Sequence, residues 1–354
     1  MSQLTSLFTR STRRKVASAA VATIALTGLL AGCASGDTDS GSGSSADSGG
    51  STEDLRFIYI AALINDSFFV TQRCGAEDKA RELGIDLAFQ GPTTNDAAAE
   101  IKAFSAAAAT GPDGMIVAPF TNAGWGGSVK PLMQDGVPVV ATGQTLEPAD
   151  AMATYITDYL ESAEPLVDII GELTEGDGTV GLIATSTGNK TDSDRYTELV
   201  PALEEEYPDL TILDPEYAEN SSATASTIAS ALITGNPDLK VIYATSGPQA
   251  VGAASAIKAA GAGDRVKLVS FDSNPEQIEL LKSGELAATV GQSPYEAASL
   301  AVQTIYDYLS ENGSDEAVPA SDEITPTPTL LLTPDNVESD EAATFQYMTE
   351  CEGD

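Results

Sequence analysis

Three cysteines, 53 carboxylates and a complete lack of histidine set the chemistry open to this 354-residue chain. Without imidazole there is no Ser-His-Asp or Cys-His nucleophile and no His-ligated zinc. Ser186 and Ser246 have no base to activate them, and nothing supplies an acid–base pair near neutral pH. No Walker loop, dinucleotide GxGxxG or calcium loop is present. Thr191-Asp192-Ser193-Asp194 is too short for a calcium loop and lacks its glycine and distal glutamate; it reads as a helix N-terminus, where acids favour the dipole. The chemistry that remains is non-covalent binding by carboxylates, amides and aromatic rings. No metal and no cofactor is expected, and the chain is not read as an enzyme. A net charge of −36, with no basic patch beyond the first fifteen residues, argues against nucleic acid and against an anionic membrane face.

The segments that must carry such a site begin with an address. Arg10, Arg13, Arg14 and Lys15 precede an apolar run from Val16 to Leu30 that ends in Leu30-Ala31-Gly32-Cys33. A basic head, a short apolar stretch and small closing residues predict an export signal over residues 1–32. The last four residues resemble the lipobox of bacterial lipoproteins, in which the cysteine is acylated and the peptide is cut before it. Cys33 is therefore the expected lipidation site, and the expected location is extracytoplasmic, with the membrane reached through the lipid anchor only. Residues 33–54, after the acylated cysteine, are almost wholly Gly, Ser, Ala, Asp and Thr, a composition that cannot bury enough apolar area to order itself and predicts a tether.

From Leu55 short apolar runs alternate with amphipathic stretches. Strands are predicted at Leu55–Leu63, Ile85–Phe89, Met115–Pro119 and Val137–Ala141, with helices over Phe68–Leu83 (Ser67 its N-cap, Gly84 its stop), Ala97–Ala109 and Gly124–Gln134. The pattern then recurs: strands Val180–Ala184, Thr211–Leu213, Val241–Ala244 and Val266–Phe271, with helices near Asp194–Glu206, Ala223–Leu232 and Ala250–Ala260. Strand–helix alternation with short loops predicts α/β architecture: two doubly wound parallel-sheet lobes with a ligand between them, beyond the carboxyl ends of the strands. Lobe 1 is expected to comprise 55–158 plus 293–320, lobe 2 residues 159–292, and 321–354 a crossover strand (Thr329–Thr333) with an acidic tail.

At Ile64-Asn65-Asp66-Ser67-Phe68-Phe69, directly after a strand, the chain resembles the first loop of type 1 periplasmic binding proteins of the ribose-binding class. Further matches follow in order: Asp113-Gly114-Met115-Ile116-Val117-Ala118-Pro119, Gly136-Val137-Pro138-Val139-Val140, Val269-Ser270-Phe271-Asp272 and Gly284 through Gln292. The resemblance spans roughly Leu55 to Asn312. It implies a monomeric extracytoplasmic binding lipoprotein that delivers a small polyhydroxylated ligand to the permease subunits of an ABC importer. A lipid-anchored ligand-binding component of a sensory system is the alternative it leaves open. The resemblance also implies ligand contacts from Asn65 and Asp66 in the first loop, from Phe68 and Phe69 as paired aromatics, and from Asp272 as a carboxylate for hydroxyl groups. Gln292 matches the hinge glutamine, and Arg195 lies near a second-lobe arginine. Asp272 is expected to serve the ligand far more than the fold.

Two departures bear on the ligand. Thr142-Gly143-Gln144 stands where ribose-type binders carry Asp-Arg, and Thr245-Ser246-Gly247 where they carry Asn-Asp. Loss of a bidentate arginine and a carboxylate argues against ribose itself. Gln144, Ser246 and Gln90 keep hydrogen-bonding capacity without charge, which suits a neutral ligand such as a monosaccharide or polyol. Trp125 and Tyr217, in loops beyond strands, read either as stacking platforms or as packing residues. With Cys33 acylated, Cys74 and Cys351 remain; export favours a disulfide between them, the alternative being a buried Cys74 and a free Cys351 on a loose tail.

Overall fold

The computed structural model describes residues 55–94, 96–148, 151–186, 190–314 and 316–351; the export segment, Cys33 and the tether lie outside the described residues. The chain runs β1 (Arg56–Ala61), α1 (Ser67–Leu83), β2 (Asp86–Gln90), α2 (Ala97–Ala108), β3 (Gly114–Ala118), α3 (Gly126–Gln134), β4 (Val139–Thr142) and β5 (Ala153–Thr157). It continues through α4 (Tyr159–Thr174), β6 (Gly178–Ala184), α5 (Lys190–Thr197), α6 (Leu199–Glu206), β7 (Leu210–Ile212), β8 (Glu216–Tyr217), α7 (Ser222–Gly235) and β9 (Leu239–Ala244). The remainder is α8 (Gly247–Ala259), β10 (Lys267–Phe271), α9 (Pro275–Ser283), β11 (Ala288–Gln292), α10 (Pro294–Asn312), β12 (Ile324–Thr327), β13 (Thr329–Leu332) and α11 (Asp340–Ala343).

Two sheets result. The first has the order β12-β5-β4-β3-β1-β2 and is parallel throughout. The second has the order β13-β11-β10-β9-β6-β7, with β8 also on β6, and only β13 runs antiparallel. Helices cover both faces, so the central strands are apolar along their whole length. In the first sheet Ile58, Ile60, Met115 and Val117 pack with Phe104 and Trp125, while Phe57, Tyr59, Ile116 and Val140 face α1 and α10. Close contact of α1 with α10 needs Gly75, where a Cβ would lie 2.1 Å from the Tyr295 carbonyl oxygen.

Local chemistry moves some predicted boundaries. Asp66, not Ser67, caps α1: its backbone is extended, and its side chain accepts from the Phe68 N–H at 2.9 Å, leaving Ser67 as the first helical residue. The stop at Gly84 is left-handed, with φ 73°. The single helix expected over Asp194–Glu206 is two, α5 and α6. Pro201 has no N–H to continue the first, and the halves face different targets: Asp192 bonds Thr185, while Leu199 and Leu203 enter the core.

The chain passes between the sheets at Thr157–Tyr159, at Gln292–Pro294 and at Thr327–Thr329. These crossings are tied together: Thr157 Oγ1 donates to Gln292 Oε1 at 2.6 Å, and Ser293 Oγ to the Pro328 carbonyl at 2.7 Å. Strand-forming sequence after residue 320 thus divides, β12 joining the first sheet and β13 the second.

A fourth link comes from the C-terminus. Phe345 packs on Gly291, where a Cβ would come within 2.9 Å of the Phe345 Cβ, and the Tyr347 N–H donates to the Ser273 carbonyl, 3.0 Å. Met348 N–H then reaches Thr71 Oγ1 on α1 at 2.7 Å, and Cys351 is disulfide-bonded to Cys74. A crosslink closing 277 residues restricts the unfolded chain strongly. Replacing both cysteines, Cys74→Ser with Cys351→Ser, should lower the unfolding free energy of the mature protein by about 2–5 kcal/mol. Urea titration checks this, and an unchanged midpoint would show that the crosslink does not hold the tail.

Candidate functional site

The carboxyl ends of both sheets converge on one cavity of about 370 Å³. From the first sheet come Asp66, Phe68 and Phe69 at the start of α1, Pro119 and Phe120 after β3, and Gly143 and Gln144 after β4. From the second come Thr185 and Ser186 after β6, Asp192 and Arg195 on α5, Ser246 after β9 and Asp272 after β10. Tyr159 and Gln292, at two of the crossings, close the hinge side.

Asp272 is the centre of the polar network. It holds a positive φ of 77°, uncommon for a non-glycine residue, because its backbone is gripped at both ends: its N–H donates to Val290 O (2.9 Å), and its carbonyl accepts from Thr289 Oγ1 (2.6 Å). Its Oδ2 accepts from Arg195 Nη1 at 2.9 Å, and its Oδ1 from Gln292 Nε2 at 2.6 Å and the Tyr347 hydroxyl at 3.0 Å.

Arg195 Nη1 also donates to the Thr245 carbonyl at 2.6 Å, and the guanidinium lies 4.4 Å from the centre of the Phe271 ring. Burial opposes its charge, but the Asp272 carboxylate, with Tyr159 and Asp192 beside it, more than offsets that and raises its pKa. Burial pushes the Tyr159 hydroxyl up to about 12, against the pull of Arg195, so it stays a neutral hydrogen-bonding group. Asp192 is fixed from within, accepting from Thr185 N and Oγ1 and from Thr245 Oγ1.

Across the cleft the lining is more aromatic. Phe68 meets Phe69 edge-on at 5.3 Å and Tyr347 at 5.5 Å. Gln144 Nε2 donates to the carbonyls of Pro119 and Phe120 at 3.0 and 3.2 Å, which leaves its oxygen without a protein donor among the described residues. Asp66 is open to solvent at its edge. The atoms packed around it, and secondarily the Asp272 charge, raise its carboxyl pKa, while the Phe68 N–H opposes the shift. One wall offers carboxylate acceptors and a guanidinium, the other apolar rings and amides. That arrangement suits a small molecule with hydroxyl groups and apolar ring faces.

Of the sequence-predicted residues, Asp66, Phe68, Phe69, Gln144, Arg195, Ser246, Asp272 and Gln292 line this cavity. The Ser246 hydroxyl is held by Gln249 Oε1. Asn65 and Gln90 do not line it; both are exposed. Gln90 ends β2, the outermost strand of its sheet, and Asn65 sits in the turn before the Asp66 cap. Trp125 is a packing residue, fully buried edge-on to Phe104 at 5.6 Å, its indole N–H on the Thr121 carbonyl. Tyr217 reaches the Tyr196 hydroxyl outside the lining. Tyr347 carries no signal of a site in the sequence. It follows an acidic stretch with no periodicity, and only the disulfide one turn further on hinted that the tail is held.

Two α/β lobes joined by a multiply crossed hinge, with converging side chains between them, define a cleft-binding protein. The sequence profile of the periplasmic binding protein domain matches residues 57–313, and the chain belongs to that family. It is 24% identical over 277 residues to the ribose import binding protein of Haemophilus influenzae, covering 78% of this chain and 93% of that protein. It is 25% identical over 317 residues to the fructose import binding protein of Bifidobacterium longum, 83% of this chain and 89% of the relative. An ABC transporter solute-binding protein of Agrobacterium vitis, solved with α-D-tagatopyranose, superposes with a TM-score of 0.73 at 22% identity, covering 83% of this chain and all of that one. That likeness defines the fold.

The Phe120 wall depends on a buried acid. Glu100, in the first turn of α2, is fully buried; Oε2 accepts from the Phe120 N–H at 3.0 Å and Oε1 has no hydrogen-bond partner among the described residues. Burial raises its pKa from the ordinary 4.5 to about 8, against the Phe120 N–H. Between those values the native chain keeps a proton that the unfolded chain releases, so stability falls as pH rises through the window, by at most about 1.4 kcal/mol per pH unit. Glu100→Gln keeps the acceptor and removes the ionisation. Urea midpoints at pH 5 and pH 8 should therefore differ less in the variant than in the parent; equal losses in both would assign the pH dependence elsewhere.

Proposed function

We infer that this protein is the extracytoplasmic solute-binding component of a sugar importer of the ABC class. It captures a neutral polyhydroxylated ligand, a monosaccharide or related polyol, and presents it to the membrane permease. The observation that carries this reading is the Asp272–Arg195 pair at the carboxyl ends of one sheet, opposed by Phe68 and Phe120 on the other. Membership of the periplasmic binding protein family and kinship with ribose and fructose import binding proteins support it. A ring whose hydroxyls meet the carboxylate and guanidinium while its C–H faces meet the aromatics touches both lobes, and so favours the closed state by its differential contacts. The role is binding, as in those relatives, and not turnover.

Asp272 also serves the fold, contrary to the expectation from sequence. It is the partner of a buried arginine, and removing it outright would strand that charge, a strongly destabilising change. Asp272→Asn is the better probe. Calorimetry with D-ribose, D-allose, D-fructose and D-tagatose should find at least one ligand for the parent, bound about 10- to 100-fold more weakly by the variant, the loss of one charge-assisted hydrogen bond. Equal affinity in parent and variant would remove Asp272 from the site.

The same reading makes Cys33 the anchor. The export segment, the lipobox residues and the Gly/Ser-rich tether support a diacylated N-terminus, which would hold the binding lobes beside the permease. Cys33→Ser should leave the exported protein in the soluble fraction, whereas the parent partitions into detergent with a lipid-sized mass increment. Membrane association that survives the substitution would exclude the lipid anchor.

A further inference from the structure

The sugar-sized cavity has a neighbour. A second groove, of about 600 Å³, lies between the start of α4 and α5 on the second lobe and the β5–β12 edge of the first sheet. Gln144, Tyr159 and Thr191 line both spaces, so the two adjoin across these three side chains. At that shared wall Gln144 turns its amide toward Pro119 and Phe120, and among the described residues no salt bridge spans it.

The groove is apolar where it is most open. Leu160 is 67% exposed and Ile324 47%; they line it from opposite lobes, and Ile156 and Pro326 belong to the same lining. Among the described residues only Met348 joins these two as an exposed large hydrophobic side chain. Three of the four charged side chains in its lining are already engaged. Lys190 is paired with Asp194 at 2.6 Å, and Asp158 caps α4 through the Leu160 and Glu161 N–H groups at 3.0 Å each. Glu198 is exposed. Leu160 is not needed by the helix: Asp158 supplies the cap, and the buried face of α4 begins with Tyr159, Ser162 and Ala163.

We propose that the cleft is built for a two-part ligand, a glycoside whose sugar ring occupies the main cavity and whose apolar or aromatic aglycone lies in the side groove against Leu160 and Ile324. This rests on the sugar-binding reading above and extends it to the substituent. An aglycone there would contact both lobes, as the sugar does, and would cover side chains that otherwise face water in both the free and the sugar-bound protein.

The test takes the tightest-binding sugar among D-ribose, D-allose, D-fructose and D-tagatose and compares its methyl with its 4-nitrophenyl glycoside by calorimetry on the mature protein. The aryl glycoside should bind about tenfold tighter or better, a gain for which burial of roughly 60 Å² of apolar surface suffices. Leu160→Ser combined with Ile324→Ser, both at exposed positions, should abolish that advantage while leaving the affinity for the free sugar and the melting temperature unchanged. An aryl glycoside no tighter than the methyl one overturns the proposal, as does an advantage that survives the double substitution; sugar binding itself would stand in both cases. Failure of all four sugars to bind would instead overturn the sugar reading, and this proposal with it.

Discussion

The Asp272 carboxylate has to accept hydrogen bonds from three separate parts of the chain, and the cleft is arranged around that requirement. Arg195 comes from α5 of the second lobe, Gln292 from a crossing between the sheets and Tyr347 from the C-terminal tail. Its backbone adopts a positive φ to face them all, and the flanking strand β11 grips it at Val290 and Thr289. Arg195 depends on it in turn, since a buried guanidinium without its carboxylate would be costly. One carboxylate thus both lines the cleft and pairs a buried arginine, which is why its substitution must preserve shape to be interpretable.

Gln292 carries the constraint into the hinge. Its Oε1 accepts from Thr157 on another crossing, while its Nε2 donates to both Asp272 and Tyr347. The crossings therefore share hydrogen bonds with the cleft-facing carboxylate, and under the proposed function a ligand that engages Asp272 would act directly on them. Tyr347 adds an aromatic contact to Phe68 on the opposite lobe, and the disulfide to α1 fixes the end of the strap that carries it. Most of the polarity sits on one side of the cleft and most of the aromatic surface on the other. A ligand held by only one lobe would leave half of its surface unmatched.

The doubly wound architecture was legible in the sequence because strands buried on both faces read as unbroken apolar runs, as in Met115–Pro119 against the observed Gly114–Ala118. Boundaries slipped by a residue or two where a cap decided them, as at Asp66. Strand order is not a local property, so nothing near Gln90 revealed that β2 lies at the margin of its sheet. Asp272, Gln292 and Arg195 were named through family resemblance; periodicity alone would have left them as residues after strands or on a helix. Glu100 looked like an ordinary first-turn acid, and only the packed structure shows it buried against the Phe120 N–H. Tyr347 reaches Asp272 over 75 residues, through a tail whose sequence is polar and acidic, and no local pattern could have announced that contact.

A neutral sugar is proposed to bridge the two lobes through Asp272 and Arg195 on one side and the aromatic wall on the other. The most direct measurement is a crystal structure of the mature protein with its tightest-binding sugar. It should show ring hydroxyls within about 3.2 Å of the Asp272 carboxylate and the Arg195 guanidinium, with a ring face against Phe68 or Phe120. A sugar bound with no contact to the second lobe, or one bound outside the cleft, would contradict it.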